Sequence, residues 1–145
     1  MRVYLDNCCF NRPFDEQTQL RVRLETEAKL RVQSYMRSGL VEYVWSAVLD
    51  YEIERSPYWR RRELILPWAE GAACYVHMDD FIISRGAEIM SLGIKQKDAL
   101  HLASAEFASC DWFLTTDRGI LKKVSVLNGM RVASPVDYVM EEGDV

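Results

Sequence analysis

Five short apolar runs, separated by stretches with helical spacing, constrain this chain more than any other feature. They are residues 2–6 (RVYLD), 41–45 (VEYVW), 74–78 (CYVHM), 112–115 (WFLT) and 130–133 (MRVA). Parallel neighbours in a sheet need a crossover long enough to hold a helix, so strands alternating with helices predict a mainly parallel sheet. The expected fold class is α/β, a three-layer α/β/α sandwich around a central sheet of four to five strands. A length of 145 residues suits one domain, read as 1–140, with 141–145 as a loose acidic tail. Apolar residues make up 49% of the chain, enough to cover both faces of such a sheet.

The intervening segments carry helix signals. Leu20, Leu24, Ala28, Val32, Tyr35 and Met36 recur at helical spacing, with Asp15 as a capping residue and Gly39 as the stop. Residues 7–14 read as a loop punctuated by Pro13. Ser46 is a good cap for a helix reaching about Arg55. Ser56-Pro57 opens an arginine-rich helical piece that Pro67 disturbs. Asp79 or Asp80 caps a helix toward Met90, closed by Gly93. Lys97-Asp98 opens the alanine-rich DALHLASAEFA, RGILKK forms a short helix, and Pro135 begins a last one.

Four acids stand just past or just inside these elements: Asp6, Glu52, Asp98 and Asp117. Parallel sheets bind ligands outside the carboxyl ends of their strands. If the first strand and the one before Asp117 are neighbours, all four acids can face one cleft. Carboxylates sharing a pocket repel one another unless a cation neutralises them, and oxygen ligands favour Mg²⁺ or Mn²⁺ over Zn²⁺. Each acid also has a plain reading as a cap, a dipole partner or a solvated helix residue. Asp6, after a buried-looking strand with no basic neighbour, fits that reading least.

Composition narrows the classes. A net charge of −4 does not suggest a general polyanion binder, although the four acids account for all of it. Cys8, Cys9, Cys74 and Cys110 form no CxxC pair or Cys/His ladder, so a zinc module is not expected. Adjacent cysteines rarely bridge, which points to reduced thiols in a cytoplasm. The apolar run at the N-terminus is too short for a signal peptide, and no run is long enough to span a membrane.

The pieces VYLDNCCFNRPFD, AVLDYEIE, KDALHLASAE and FLTTD, in that order, resemble the PIN-domain nucleases, especially the single-domain proteins of the VapC toxin type. The resemblance covers nearly the whole chain. It implies metal-ligand and catalytic roles for Asp6, Glu52, Asp98 and Asp117, a Mg²⁺ or Mn²⁺ centre, and hydrolysis of RNA phosphodiester bonds. It also implies a homodimer and a small antitoxin partner. Thr115 matches the hydroxyl position two residues before the last acid. Asn7 stands where many members carry a small hydroxyl residue.

RNA would need cations outside the acidic pocket. Arg12 and Lys97 are the first candidates, with Arg118, Lys122 and Lys123 after Asp117. The run Arg60, Arg61 and Arg62 beside Tyr58 and Trp59 could contact phosphates and bases, but reads equally as a solvated helix face. His101 reads as a buried, hydrogen-bonded histidine before a metal ligand or proton shuttle. Two other functions compete. One is a catalytically silent scaffold of the same fold, binding protein or RNA. The other is an aspartyl phosphotransferase, disfavoured because Cys8 stands where that pattern needs a second aspartate.

Overall fold

The computed structural model describes residues 1–143. The chain begins β1 (Arg2–Leu5), α1 (Asn7–Asn11), a 3-10 turn (Arg12–Phe14), α2 (Leu20–Ser38), β2 (Glu42–Ser46) and α3 (Ala47–Glu54). It continues α4 (Trp59–Ile65), a 3-10 stretch (Leu66–Gly71), β3 (Cys74–Val76), α5 (Asp80–Met90) and α6 (Gln96–Phe107). It ends β4 (Trp112–Leu114), α7 (Arg118–Leu121), β5 (Val126–Leu127), β6 (Met130–Ala133) and α8 (Pro135–Glu142).

The strands form one six-stranded sheet in the order β3-β2-β1-β4-β6-β5. All pairings are parallel except β5 with β6. The chain builds outward from β1 through β2 to β3, then crosses back to lay β4 on the other side of β1. The strand order therefore reverses between β1 and β4, where an open parallel sheet leaves a crevice at its carboxyl edge. The decisive register is Leu5 opposite Leu114, which brings the ends of those two strands together.

Among the helices, α5 packs on α6 and α2 on α8, an arrangement compatible with a three-layer sandwich. Tyr4, Trp45, Phe113 and Leu114 are buried in its centre. The Tyr4 and Phe113 rings stack at 5.3 Å with 11° between their planes. Phe10 meets Trp45 edge-on at 5.4 Å. No described helix is long and apolar enough to cross a membrane.

Local capping chemistry explains where the helices start. Ser46 Oγ accepts from Leu49 N–H, and Asp79 accepts from Ile82 N–H. Gly39, at φ 80°, ends α2 in the left-handed conformation.

Four expectations need correction. Residues 7–14 are helical, because Asp6 caps α1 through Asn7 N–H and Pro13 sits within the following 3-10 turn. Asp15 does not cap α2, whose cap is Gln19 without a side-chain bond. Asp15 is held instead by two guanidinium groups, Arg12 Nη1 at 2.9 Å and Arg61 Nη1 at 3.1 Å. Arg12 Nε also binds the buried Glu25 at 2.9 Å, which ties the turn after α1 down onto α2. Third, the sheet has six strands, one beyond the expected range.

The extra strand, β5, turns into β6 through Asn128-Gly129, both at positive φ (49° and 82°). That is the geometry of a two-residue hairpin, which asparagine and glycine accept readily. The expected tail divides as well. Glu141 and Glu142 complete α8, Glu141 pairs with Arg131, and Tyr35 donates to Gly143 O at 2.9 Å. Asp144 and Val145 lie outside the described residues.

The hairpin gives a clean stability test. A Cβ on Gly129 would meet nothing within 4 Å, so its cost is conformational alone. Gly129→Ala should lower the unfolding free energy by about 1–2 kcal/mol in urea denaturation.

Candidate metal centre

Asp6 follows β1 directly, and its N–H donates to Leu114 O at 2.9 Å, extending the β1–β4 pairing by one residue. Its side chain is buried at the reversal point. Oδ1 accepts from Asn7 N–H at 2.8 Å. Oδ2 accepts from Thr115 Oγ1 at 2.8 Å and from Cys8 Sγ at 3.5 Å. The same Thr115 oxygen accepts from Asp117 N–H at 3.1 Å. One buried hydroxyl at the end of β4 therefore orients Asp6 and fixes the backbone of Asp117.

The other acids arrive on helices. Ser46 ends β2 and starts α3, which carries Glu52 about two turns later. Glu52 Oε2 accepts from Asn7 Nδ2 at 3.5 Å, and Oε1 takes a short hydrogen bond from His101 Nε2. His101 Nε2 also stands 3.7 Å from Asp6 Oδ1. One ligand atom from each of Asp6, Glu52 and His101 falls within 4.8 Å of the other two.

Asp98 lies in the first turn of α6. Burial, then the charges of Asp6 and Asp117, push its pKa from an ordinary 3.8 up to about 6. No hydrogen bond among the described residues relieves it. Asp98 and Asp117 line one small cavity with Lys95 and Lys123. Asp117 also acts as a cap, accepting from Gly119 N–H at 2.7 Å.

A chain of buried hydroxyls stands behind these acids. Tyr4 Oη lies 2.6 Å from Ser46 Oγ and 2.6 Å from His101 Nδ1, and all three residues are fully buried. An ionised carboxylate only accepts, so the bond to Glu52 places a proton on His101 Nε2 in either charge state. With a neutral ring, Leu49 N–H donates to Ser46, Ser46 to Tyr4, Tyr4 to Nδ1, and Nε2–H to Glu52. Every hydroxyl in that series both donates and accepts. Burial alone would lower the His101 pKa, but Asp6, Glu52 and Asp98 outweigh it and raise it. For Glu52, burial works upward, while the His101 bond and the His101 and Lys97 charges bring its pKa below the usual value.

His101 thus holds Glu52 through a proton, rather than offering a free lone pair. It was expected as a buried, hydrogen-bonded histidine, and it is one. Neither Tyr4 nor Ser46 was singled out as part of the site. Their signal was a polar tip on an inward-facing strand residue and a hydroxyl at the strand-to-helix junction.

Two of the four acids, Asp6 and Glu52, come within metal-holding distance of each other, whereas Asp98 and Asp117 lie outside that group. Asp6 and Glu52 meet through His101, Asp98 feels all three other carboxylates, and Asp117 joins through Thr115 and the shared cavity. Such an oxygen-rich set, with one carboxylate left unbonded and its pKa raised, fits a divalent cation.

The remaining expected residues differ in availability. Asn7 touches Glu52, and Lys97 lies next to Asp98. Arg12 is occupied by Asp15 and Glu25. Arg61 is occupied by Asp15 and Phe14 O. Cys9 is buried under the site, and Cys8 lies against Thr115 at 3.4 Å.

No protein-family model matches the chain, and no curated protein matches it.

Two measurements probe this centre. The folded chain holds a proton on Asp98 more tightly than the unfolded chain does. Its contribution to stability is therefore full below pH 3.8 and disappears as pH rises through about 6. Asp98→Asn should raise the melting temperature of the metal-free protein at neutral pH, with the gain shrinking toward pH 4, as read by calorimetry. Tyr4→Phe keeps the stacked ring but leaves His101 Nδ1 and Ser46 without their partner. It should cost about 1–3 kcal/mol in urea denaturation.

Proposed function

We propose that this chain is a metal-dependent endoribonuclease of the PIN-domain type, hydrolysing RNA phosphodiester bonds with Mg²⁺ or Mn²⁺. The observation that carries this reading is the grouping of Asp6 and Glu52 with His101 beside the point where the strand order reverses, with the unpaired Asp98 carboxylate close enough to feel the charges of Asp6, Asp117 and Glu52. The four sequence pieces that resemble the PIN nucleases contribute those same four acids. Asp6 and Asp117 also cap α1 and α7, but capping does not account for Asp98, a half-buried carboxylate held near other acids without a partner.

In this reading Asp6, Glu52 and Asp98 hold the cation, and Asp117 serves it across the small cavity. A bound divalent cation would acidify a water and shield phosphate oxygens during in-line attack. The chain's own residues prepare that chemistry. Thr115 and Asn7 N–H fix the two oxygens of Asp6. His101, steadied by Tyr4 and Ser46, fixes Glu52, so neither acid must reorganise when substrate arrives. Asp98, whose charge is disfavoured by burial and by its acidic neighbours in the metal-free protein, gains the most from a bound cation. Lys97, beside it, balances negative charge where a phosphate would lie.

The resemblance to the VapC toxin type extends the proposal one step beyond nuclease chemistry, to the toxin of a VapBC-type pair that acts in the cytoplasm as a homodimer and is restrained by a small antitoxin. The competing reading is a silent scaffold with the same fold.

Cleavage of a mixed RNA pool with Mn²⁺ or Mg²⁺ separates the two. The native protein should cut and lose activity on chelation. Asp6→Asn should cut about 100-fold less or worse, beyond the 10–100-fold typical of losing an outer partner of a metal ligand. Absence of cleavage, with no Mn²⁺ binding by calorimetry in the native protein, would establish the scaffold instead.

A further inference from the structure

Of the three consecutive arginines in α4, Arg61 is turned toward the turn after α1. Its Nη2 donates to Phe14 O at 2.8 Å, and its Nη1 lies 3.1 Å from Asp15 Oδ1 and 3.4 Å from Asn11 Oδ1. The Tyr58 ring covers it, with 4.4 Å from ring centroid to guanidinium carbon. From this fixed cation a line of side chains leads to the metal centre. Asn7 and Asn11 are four residues apart on α1, so they share one face of that helix. Asn11 Nδ2 donates to Asn7 Oδ1 at 3.0 Å, and Asn7 Nδ2 donates to Glu52 Oε2 at 3.5 Å. The line thus joins α4 to α3 through α1.

Polarity sets its direction. A guanidinium can only donate, and an ionised carboxylate can only accept. Between them stand two amides, each with a donating and an accepting end. Arg61 requires Asn11 to present its oxygen, which turns the Asn11 nitrogen toward Asn7. Asn7 must then offer its oxygen to Asn11 and its nitrogen to Glu52. Reversing either amide would set acceptor against acceptor on one side and donor against donor on the other. The Asn11 nitrogen also donates to the Asn7 backbone oxygen at 3.0 Å, so its orientation is specified twice. The two end bonds are long, so the line supplies orientation rather than strong attachment.

We infer that Asn11 and Arg61 are positioning residues for Glu52, acting through Asn7. His101 holds Glu52 Oε1, and among the described residues only Asn7 donates to Oε2. With both oxygens engaged, the carboxylate is oriented before a cation arrives. The Asn7 backbone N–H also holds Asp6 Oδ1 at 2.8 Å, so this one residue serves the two acids that lie closest together. Arg61 therefore has an internal task and is withdrawn from the basic run open to RNA. This role rests on the metal-centre part of the function proposed above, and not on the identity of the substrate.

Mn²⁺ affinity of the full chain, read by isothermal titration calorimetry, tests the line. Asn7→Ala and Asn11→Ala should each weaken Mn²⁺ binding about tenfold. The double variant should bind no more weakly than Asn7→Ala alone, because Asn11 then has nothing to act through. Arg61→Met should also weaken binding. Arg60→Met, which removes an equal charge from an exposed neighbour, should bind as the native protein does. Losses that multiply to about a hundredfold in the double variant would overturn the inference, since independent effects multiply. Native affinity in Asn11→Ala and Arg61→Met would overturn it too. If Asn11→Ala fails to fold, Arg61→Met combined with Asn7→Ala completes the same cycle. A native protein that binds no Mn²⁺ would remove the metal centre and this role with it. A native protein that binds Mn²⁺, responds to the variants as expected and leaves RNA uncut would remove the nuclease reading and leave the positioning role standing.

Discussion

The parallel pairing of β1 with β4 is the contact on which the rest depends. These strands are more than a hundred residues apart in sequence, yet Leu5 faces Leu114. Their alignment sets Asp6 against Thr115 and Asp117. It also creates the reversal in strand order that leaves room for Glu52 and Asp98 to approach from α3 and α6. Were β4 displaced by one strand, Asp6 would lose the hydroxyl that orients it, and the acids would scatter along the sheet edge. The buried stack of Tyr4 on Phe113 reinforces the same alignment from within the core.

Much of this was legible in the residues, for identifiable reasons. Short apolar runs between helical spacings carry strand and helix periods that local sequence cannot disguise, so five of the six strands were read near their observed places. The cap at Ser46, the cap at Asp79 (one of the two adjacent aspartates the sequence offers) and the stop at Gly39 act within a few residues of themselves, so local sequence reveals them. β5 escaped because two residues carry no period, although Asn128-Gly129 announced a hairpin. Asp15 was misassigned because its real partners, Arg12 and Arg61, include one reached only by folding. The 7–14 segment was read as a loop because Pro13 drew attention away from Asp6, whose carboxylate reaches forward to cap.

The candidate site divides in the same way. Its acids stand out because charge after a buried strand is unusual. Its supporting residues do not. Tyr4 and Ser46 are 42 positions apart, and Tyr4 and His101 are 97 apart. Each, taken alone, is an ordinary strand, junction or helix residue. Only the fold reveals that they share a proton path, and that this path ends on Glu52. The arrangement is one in which a strongly acidic pocket is kept in shape by groups that carry no net charge of their own, apart from His101.

The ion pairs that hold the turn after α1 have a consequence for heat. Arg12, Asp15, Glu25 and Arg61 connect that turn to α2 and α4 in a partly buried network. Moving charges out of water becomes less unfavourable as temperature rises, whereas apolar burial gains little more per unit area. The segment that carries Asn7 and Cys8 against the acids is thus fastened by the kind of bond that weakens least on warming. On heating, the edge of the sheet farthest from it, where the two-residue β5 lies, should loosen before the centre does.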